Sequence, residues 1–421
     1  MRTRGPLLPT TIAVADVRYV KELYPRLKPS DEVIDRYIDA IDNLPPIAIA
    51  RDGIIVDGFH RWQAHLRAGV EKIAADDLGD LSDAEILRES YKRNSTHGHQ
   101  LSANDKKRAA DHLYRTLPGT ADERVTDIAV VLGITQSTAK KYVSTARQDE
   151  KKQLQERAWD MWLDCHTQQA IADDLGMPQR TISDVLAKRE QDSGFANPPE
   201  SRQHFDVWNF ATDQDTDTTY FGKMPEQIVE NLLWLYTEPG QIVVDPFAGS
   251  GTTVEVAKRM GRRVWASDRI SAEKYPHLPI HTHDITQGWP SDAPSKAELV
   301  ILDPPYWMQA EGRYSDDPQD LGNMSWLDFS TAWTAIMRAV AERVNRCAFI
   351  VSPAQVGGLA DGNVMDLAYQ MAGDAGMAGW NIERRIIVTY STQQATGQQV
   401  DAARKHKKLL KLYRDLVVMS R

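Results

Sequence analysis

One segment constrains this chain more than any other: Ile242-Val243-Val244 running into Asp245-Pro246-Phe247-Ala248-Gly249-Ser250-Gly251-Thr252-Thr253. The apolar, β-branched run reads as a buried strand, and Thr253 to Met260 takes helical spacing, so the residues between them must turn from strand to helix. Gly249 and Gly251 let the backbone come close to a ligand, and the helix start offers unsatisfied N–H groups. A phosphate loop would need a lysine before the Ser/Thr, yet Gly251 is followed directly by Thr252. A dinucleotide fingerprint would need three spaced glycines, which are also missing. What remains is a loop led by an acid, suited to a cationic or hydroxylated ligand.

S-adenosylmethionine, with its positive amino and sulfonium groups, fits that description. An acid should then end the next strand to hold ribose hydroxyls, and Asp268 lies 23 residues after Asp245, close to one strand–helix–strand step. Asp284, in His281-Thr282-His283-Asp284, is the next strand-end acid and could meet the adenine amino group. The segments 241–244, 263–266, 299–302, 348–351, 382–390 and 415–419 read as strands with helices between most of them. That alternation predicts a doubly wound, Rossmann-like and largely parallel sheet.

Asp303-Pro304-Pro305-Tyr306 follows the strand 299–302 and so also sits at a strand's C-terminal end. An exocyclic amine on adenine or cytosine is a poor nucleophile because its lone pair is delocalised into the ring. Asp303 and the Pro304 carbonyl can accept its two N–H groups and favour a pyramidal nitrogen, while the prolines keep competing donors away. Tyr306, with Trp307 beside it, offers an aromatic face to a base swung out of the stack. Neither Cys165 nor Cys347 has a Pro-Cys setting, which excludes methylation at a ring carbon.

Together these motifs resemble the amino-methylating DNA methyltransferases, over about Phe205 to Arg421. The resemblance implies that Asp245 to Thr252 is the cofactor loop and Asp303, Pro304, Pro305 and Tyr306 the catalytic loop. It also implies that Lys223-Met224-Pro225 is a Lys-x-Pro cofactor element, placing Lys223 and Pro225 at the cofactor. The order, glycine loop before catalytic loop, is the reverse of the commonest members with this loop sequence. Asp at the first loop position is commoner among resembling adenine enzymes, so adenine N6 is expected over cytosine N4.

The first half of the chain is different in kind. Ile47 to Ala50, an Asp52-Gly53 turn and Ile54 to Val56 read as a hairpin, followed by a helix from His60 to Ala68 that stops at Gly69. Gly58 and Arg61 at that helix start resemble the Gly-x-x-Arg turn of the ParB/sulfiredoxin-type domain, over about Pro9 to Arg147, which implies a nucleoside triphosphate there. The second box of that family falls at Asn94 to Ser102. From Leu81 to Arg189 strand signals vanish, and a short pattern occurs twice: Ala129 with Gly133, then Ala172 with Gly176, each followed by an amphipathic helix. Both copies read as helix-turn-helix units. Gln136, Ser137, Thr138, Lys140 and Lys141 would begin one recognition helix and Gln179, Arg180, Thr181 and Ser183 the other. Two such units fit two half-sites in one monomer, or one site plus a homodimer contact.

Composition sets limits on all of this. At about 150 residues per domain, 421 residues hold two to four domains. With 42% hydrophobic and 26% charged residues the chain is of ordinary globular type, and 50 Lys+Arg against 59 Asp+Glu argue against a uniformly basic nucleic-acid coat. The segment from Arg384 onward runs the other way, with nine Lys/Arg against two Asp. Two cysteines cannot build a zinc ribbon, and His97, His99, His281 and His283 lack a partner pattern for a metal, so no metal is expected. No apolar run is long enough for a membrane span or signal peptide, which points to the cytoplasm. The expected layout is an α/β multidomain chain. Residues 1–95 form a ParB-like domain, 96–193 a helical helix-turn-helix segment and 194–421 a methyltransferase domain, with Ser193 to Ser201 as linker. The expected function is site-specific methyl transfer to double-stranded DNA. A ParB-like DNA-binding regulator that only senses the cofactor is the alternative.

Overall fold

The computed structural model describes residues 9–24, 30–96, 102–191, 193–210, 223–270, 275–307, 316–356, 363–389, 397–407 and 409–421. They form two compact units, residues 1–153 and 154–421. The architecture is mixed α/β, as the alternation of patterns predicts, and among the described residues no helix is long and apolar enough to cross a membrane.

In the first unit, β1 (Pro9–Ala13), β2 (Ile47–Ile49), β3 (Ile55–Asp57) and β4 (Lys72–Asp77) make a sheet of order β1-β4-β2-β3. The expected hairpin is β2 with β3, and Asp52 and Gly53 turn its corner with φ of 53° and 71°. Helices α1 (Asp31–Asp39), α2 (Phe59–Arg67) and α3 (Asp83–Thr96) accompany the sheet. Next come α4 (Ala103–Thr116), α5 (Ala121–Leu132), α6 (Gln136–Tyr142) and the start of α7 (Ser144–Leu163). Thr120 and Glu123 close a capping box on α5, and the Thr135 hydroxyl accepts from Thr138 N–H to start α6. Val125, Ile128, Leu132, Ala139 and Val143 are buried between these helices, which leaves the polar start of α6 outward.

The second unit holds the end of α7, α8 (Gln168–Leu175) and α9 (Gln179–Glu190), so the expected helical segment is shared between the two units. Its sheet runs β5-β13-β14-β10-β9-β6-β7-β8. The strands are β5 (Val207–Trp208), β6 (Ile242–Asp245), β7 (Arg263–Asp268), β8 (Ile280–Thr282), β9 (Leu299–Leu302), β10 (Arg346–Val351), β13 (Asn381–Thr389) and β14 (Tyr413–Ser420). A separate short ribbon pairs β11 (Ala354–Val356) with β12 (Asn363–Met365). Strands β6 to β10 are mutually parallel, while β14 runs antiparallel between β10 and β13. After β8 the chain crosses to the other side of β6, so the strand order reverses there. That switch point opens a crevice outside the C-terminal ends of β6 and β9.

The expected linker is not a loose tether. Phe195 stacks on Trp159 with centroids 5.7 Å apart, and its carbonyl accepts from Arg262 Nη1 at 2.6 Å. Gly261 makes room for that ring, because a Cβ there would stand 2.5 Å from it. Glycine and proline content suggested a tether, but one partly buried aromatic side chain stacked on Trp159 is enough to pin it.

Candidate active site

The glycine loop leaves β6 and enters α11 (Thr252–Arg259). Gly251 has φ +85°, a left-handed conformation that favours glycine, and a Cβ there would also have to push the Leu278 Cδ1 methyl aside. The loop is tied to the next strand twice. Ala248 N–H donates to the Ser267 carbonyl at 3.0 Å, and Gly249 N–H donates to Asp268 Oδ2 at 2.9 Å. Asp268 Oδ1 accepts from Ile270 N–H.

Around this loop lies a cleft of about 900 Å³, including its solvent-open mouth. Lys223, Pro246 to Ser250, Thr252, Asp268, Asp284, Asp303 and Pro305 line it. The structure therefore brings the cofactor residues and the catalytic acid of the sequence reading into one cavity. Asp245, Gly251, Pro225, Pro304 and Tyr306 do not line it. Asp245 lies beneath the loop, 1% exposed, and accepts from Phe247 N–H at 2.9 Å, so it shapes the loop from below. Burial pushes its carboxyl up to about 7, aided by Asp303 and Asp268 and opposed by the Thr253 hydroxyl and Phe247 N–H. Pro225 caps α10 (Glu226–Tyr236). Pro304 is buried, and Tyr306 stands half-buried at the border of two core clusters.

Asp303 sits in surroundings that disfavour its charge, and its carboxyl is pushed up to about 6. The Arg414 guanidinium and the Tyr306 hydroxyl pull it back toward the anion. Trp307 is not a second stacking face. It is buried, its indole N–H donates to the Met324 carbonyl at 3.0 Å, and it packs edge-on against Trp326. Asp284 accepts from both N–H and hydroxyl of Thr286, which holds Ile285 and Thr286 at the cleft wall. Sequence reasoning missed Arg269, Asp320 and Leu321 in that wall and Arg414 behind Asp303. Arg269 follows Asp268 and could have been flagged, whereas nothing local marks the others.

The donor set fits S-adenosylmethionine. Carboxylates at Asp268 and Asp284 suit hydroxyl and amine donors, and backbone N–H groups at the start of α11 suit a carboxylate. Cys347 is fully buried, and burial pushes the Cys165 thiol up to about 11, so neither is poised as a nucleophile.

Elsewhere, Gln136, Ser137, Lys140 and Lys141 are exposed with Thr138 partly so, and Gln179 and Arg180 are exposed with Thr181 and Ser183 partly so. At the N-terminal turn, Arg61 Nη2 bonds Asp57 Oδ2 at 2.9 Å and Phe59 N–H donates to the Tyr24 hydroxyl. Gly58 starts α2 in left-handed geometry, as the glycine–arginine pattern requires. His97, His99 and most of the expected second box lie outside the described residues, while Asn94 is buried and donates to the Ser90 carbonyl.

Residues 99–277 match the family model of N6/N4 methyltransferases described as DNA methylase. The match includes Lys223 and the glycine loop and stops before Asp303. Type II methyltransferase M.BglII of Bacillus subtilis is 30% identical over 99 residues, 23% of this chain and 28% of that protein. Type II methyltransferase M2.DpnII of Streptococcus pneumoniae is 38% identical over 79 residues, 18% of this chain and 28% of that protein. The chain thus spans little more than a quarter of the length of these relatives. Among solved structures, a Pnob8-like ParB-N domain is matched at 13% identity over 34% of this chain and 70% of that one, with a TM-score of 0.27, too low to bear on fold or function.

Proposed function

We propose that this chain, which carries a domain of the N6/N4 DNA methylase family, is a site-specific DNA methyltransferase that acts on the exocyclic N6 of a flipped adenine. The observation that carries the reading is the shared cleft: the glycine loop, Asp268 and Asp303 meet at the sheet's switch point. When bound, S-adenosylmethionine supplies an electrophilic methyl group on its sulfonium. The glycine loop, Lys223, Asp268 and Asp284 would hold it. Asp303 and the Pro304 carbonyl accept the two N–H groups of the target amine, and Asp303 must be anionic to do so. Arg414 favours that anion. Tyr306 offers its ring to the base.

The DNA grip falls to the first helix-turn-helix copy. Gln136, Ser137, Thr138, Lys140 and Lys141 stand at the exposed start of α6, where short polar and basic side chains reach phosphates and base edges. Gln179, Arg180, Thr181 and Ser183 are less suited, because their copy carries a net negative charge and packs on the strand-start end of β7. A nucleoside triphosphate at Gly58 and Arg61 would have to displace Asp57 from Arg61.

Incubating the full chain with labelled cofactor and mixed DNA, followed by nucleoside mass spectrometry, tests the assignment. N6-methyladenine is the expected product, and N4-methylcytosine would move the same mechanism to the other base. A 5-methylcytosine product, or none, would overturn the reading.

A further inference from the structure

Arg269 follows Asp268 at the end of β7, and three carboxylates from two parts of the chain converge on it. Its Nη2 bonds Asp317 Oδ2, its Nε lies 3.6 Å from Asp284 Oδ2, and its Nη1 lies 3.7 Å from Asp320 Oδ2. Asp317 and Asp320 belong to the segment between the catalytic loop and the helix Trp326–Ala341. That segment is a chain of turns: Asp320 N–H donates to the Asp317 carbonyl at 3.0 Å, and Asn323 N–H to that of Asp320 at 2.8 Å. Leu321 plugs it into the core, and Gln319, Asp320 and Leu321 line the cleft together with Asp268 and Ile270.

An exposed ion pair would matter little here. This one differs because Asp320 is only 9% exposed in its side chain and because Asp284, Asp317 and Asp320 all lie within 3.7 Å of one guanidinium. Arg269 is a cation shared by Asp284, Asp317 and Asp320. Without it the carboxylates repel one another, and the turn segment loses its tie to the strand that ends in Asp268.

We infer that Arg269 is a positioning residue that latches the 316–324 segment to the end of β7 and so shapes the pocket for the adenosine part of the cofactor. This rests on reading the cleft as the S-adenosylmethionine site. The latch acts through shape. Loss of its charge alone would act in the opposite sense on a cationic ligand, since a more negative wall attracts a sulfonium. The two effects are separable because S-adenosylhomocysteine has the same adenosine and no sulfonium.

The test is calorimetric titration of the full chain, wild type and Arg269→Ala, with each of the two ligands, together with KM and kcat. Arg269→Ala should weaken both ligands by about tenfold, a modest network effect, and raise KM for the cofactor more than it lowers kcat. Asp317→Asn should move in the same direction by less, and Arg269→Lys should recover part of the loss. Hydrogen exchange over 317–324 should speed up in Arg269→Ala. Unchanged affinities, or tighter S-adenosylmethionine with unchanged S-adenosylhomocysteine, would overturn the latch. A wild-type chain that binds neither ligand would instead overturn the proposed function.

Discussion

In the first helix-turn-helix copy Ala129 and Gly133 stand four residues apart, as Ala172 and Gly176 do in the second, and both glycines are left-handed with φ of 59° and 61°. Thr135 opens α6 with a hydroxyl cap, while Pro178 opens α9 with no side-chain bond. Charge separates the copies. Residues 103–153 hold ten Lys/Arg against seven Asp/Glu, and residues 154–190 hold four against seven. Lys140 and Lys141 are exposed on α6, a helix without an acid, whereas in the second copy Arg189 pairs with Glu156 and Arg157 with Asp174.

Packing separates them further. The second copy is fastened to the eight-stranded sheet. The Arg263 guanidinium lies 3.6 Å from the Trp162 ring centroid, Lys258 pairs with Asp164, and Arg262, 1% exposed, bonds Phe195, Thr237 and Met260. These contacts gather at the start of β7, while Asp268 at its end faces the cleft. A six-residue strand spans about 17 Å at roughly 3.3 Å per residue. One motif thus supports two uses: a basic copy suited to phosphates and an acidic copy that buttresses a fold. The spacing specifies the turn, and the partner is set by what surrounds it.

The largest expected effect separates the copies by deletion. Residues 154–421 should fold and bind S-adenosylhomocysteine. Residues 201–421 should lose more than about 10 °C in melting temperature, because Arg262 loses Phe195 and Arg263 loses Trp162. Equal melting points from scanning calorimetry would end the buttress assignment.

Next in size comes the cleft end of the same sheet. Asp303→Ala should cut single-turnover methyl transfer roughly a hundredfold to a thousandfold while DNA affinity stays near wild type. Since burial holds its carboxyl at about 6, above the ordinary carboxylate range, the wild-type rate should fall as pH drops through about 6 and the anion is lost. A pH–rate profile flat from 5 to 8 would remove Asp303 from its role.

Smaller effects test the comparison directly. Lys140→Ala with Lys141→Ala should weaken DNA binding by about tenfold and reduce the salt slope by roughly 1.8, as expected for two lost phosphate contacts. Arg180→Ala with Lys188→Ala should change affinity by less than about twofold. If fluorescence anisotropy across a salt series shows the reverse ranking, the roles of the two copies exchange.

Much of the site was legible because its signals are local. Strand residues 242–244 and the glycines after them announce their turn through backbone sterics alone, and Asp303-Pro-Pro-Tyr306 carries its chemistry in four consecutive residues. Asp268 was found from the length of one strand–helix–strand step. The short strand 207–208 was missed because two residues carry no periodicity. Trp307 was misjudged because stacking availability depends on Met324 and Trp326, far along the chain.

Sequence by itself determined the strand-to-helix loop, the place of Asp303-Pro-Pro-Tyr306 at a strand end, the two helix-turn-helix turns and the mixed α/β layout, since each rests on torsion preferences or on periodicity within a few residues. Only the tertiary structure decided that Asp245 supports the loop from beneath, that Arg414 stands behind Asp303 and that Arg269 collects three distant carboxylates. It alone also set the two helix-turn-helix copies apart, through the packing of Trp162 and Phe195 on Arg262 and Arg263. Those outcomes depend on burial and on charges brought together across the chain, and a residue's burial is a property of its neighbours in space.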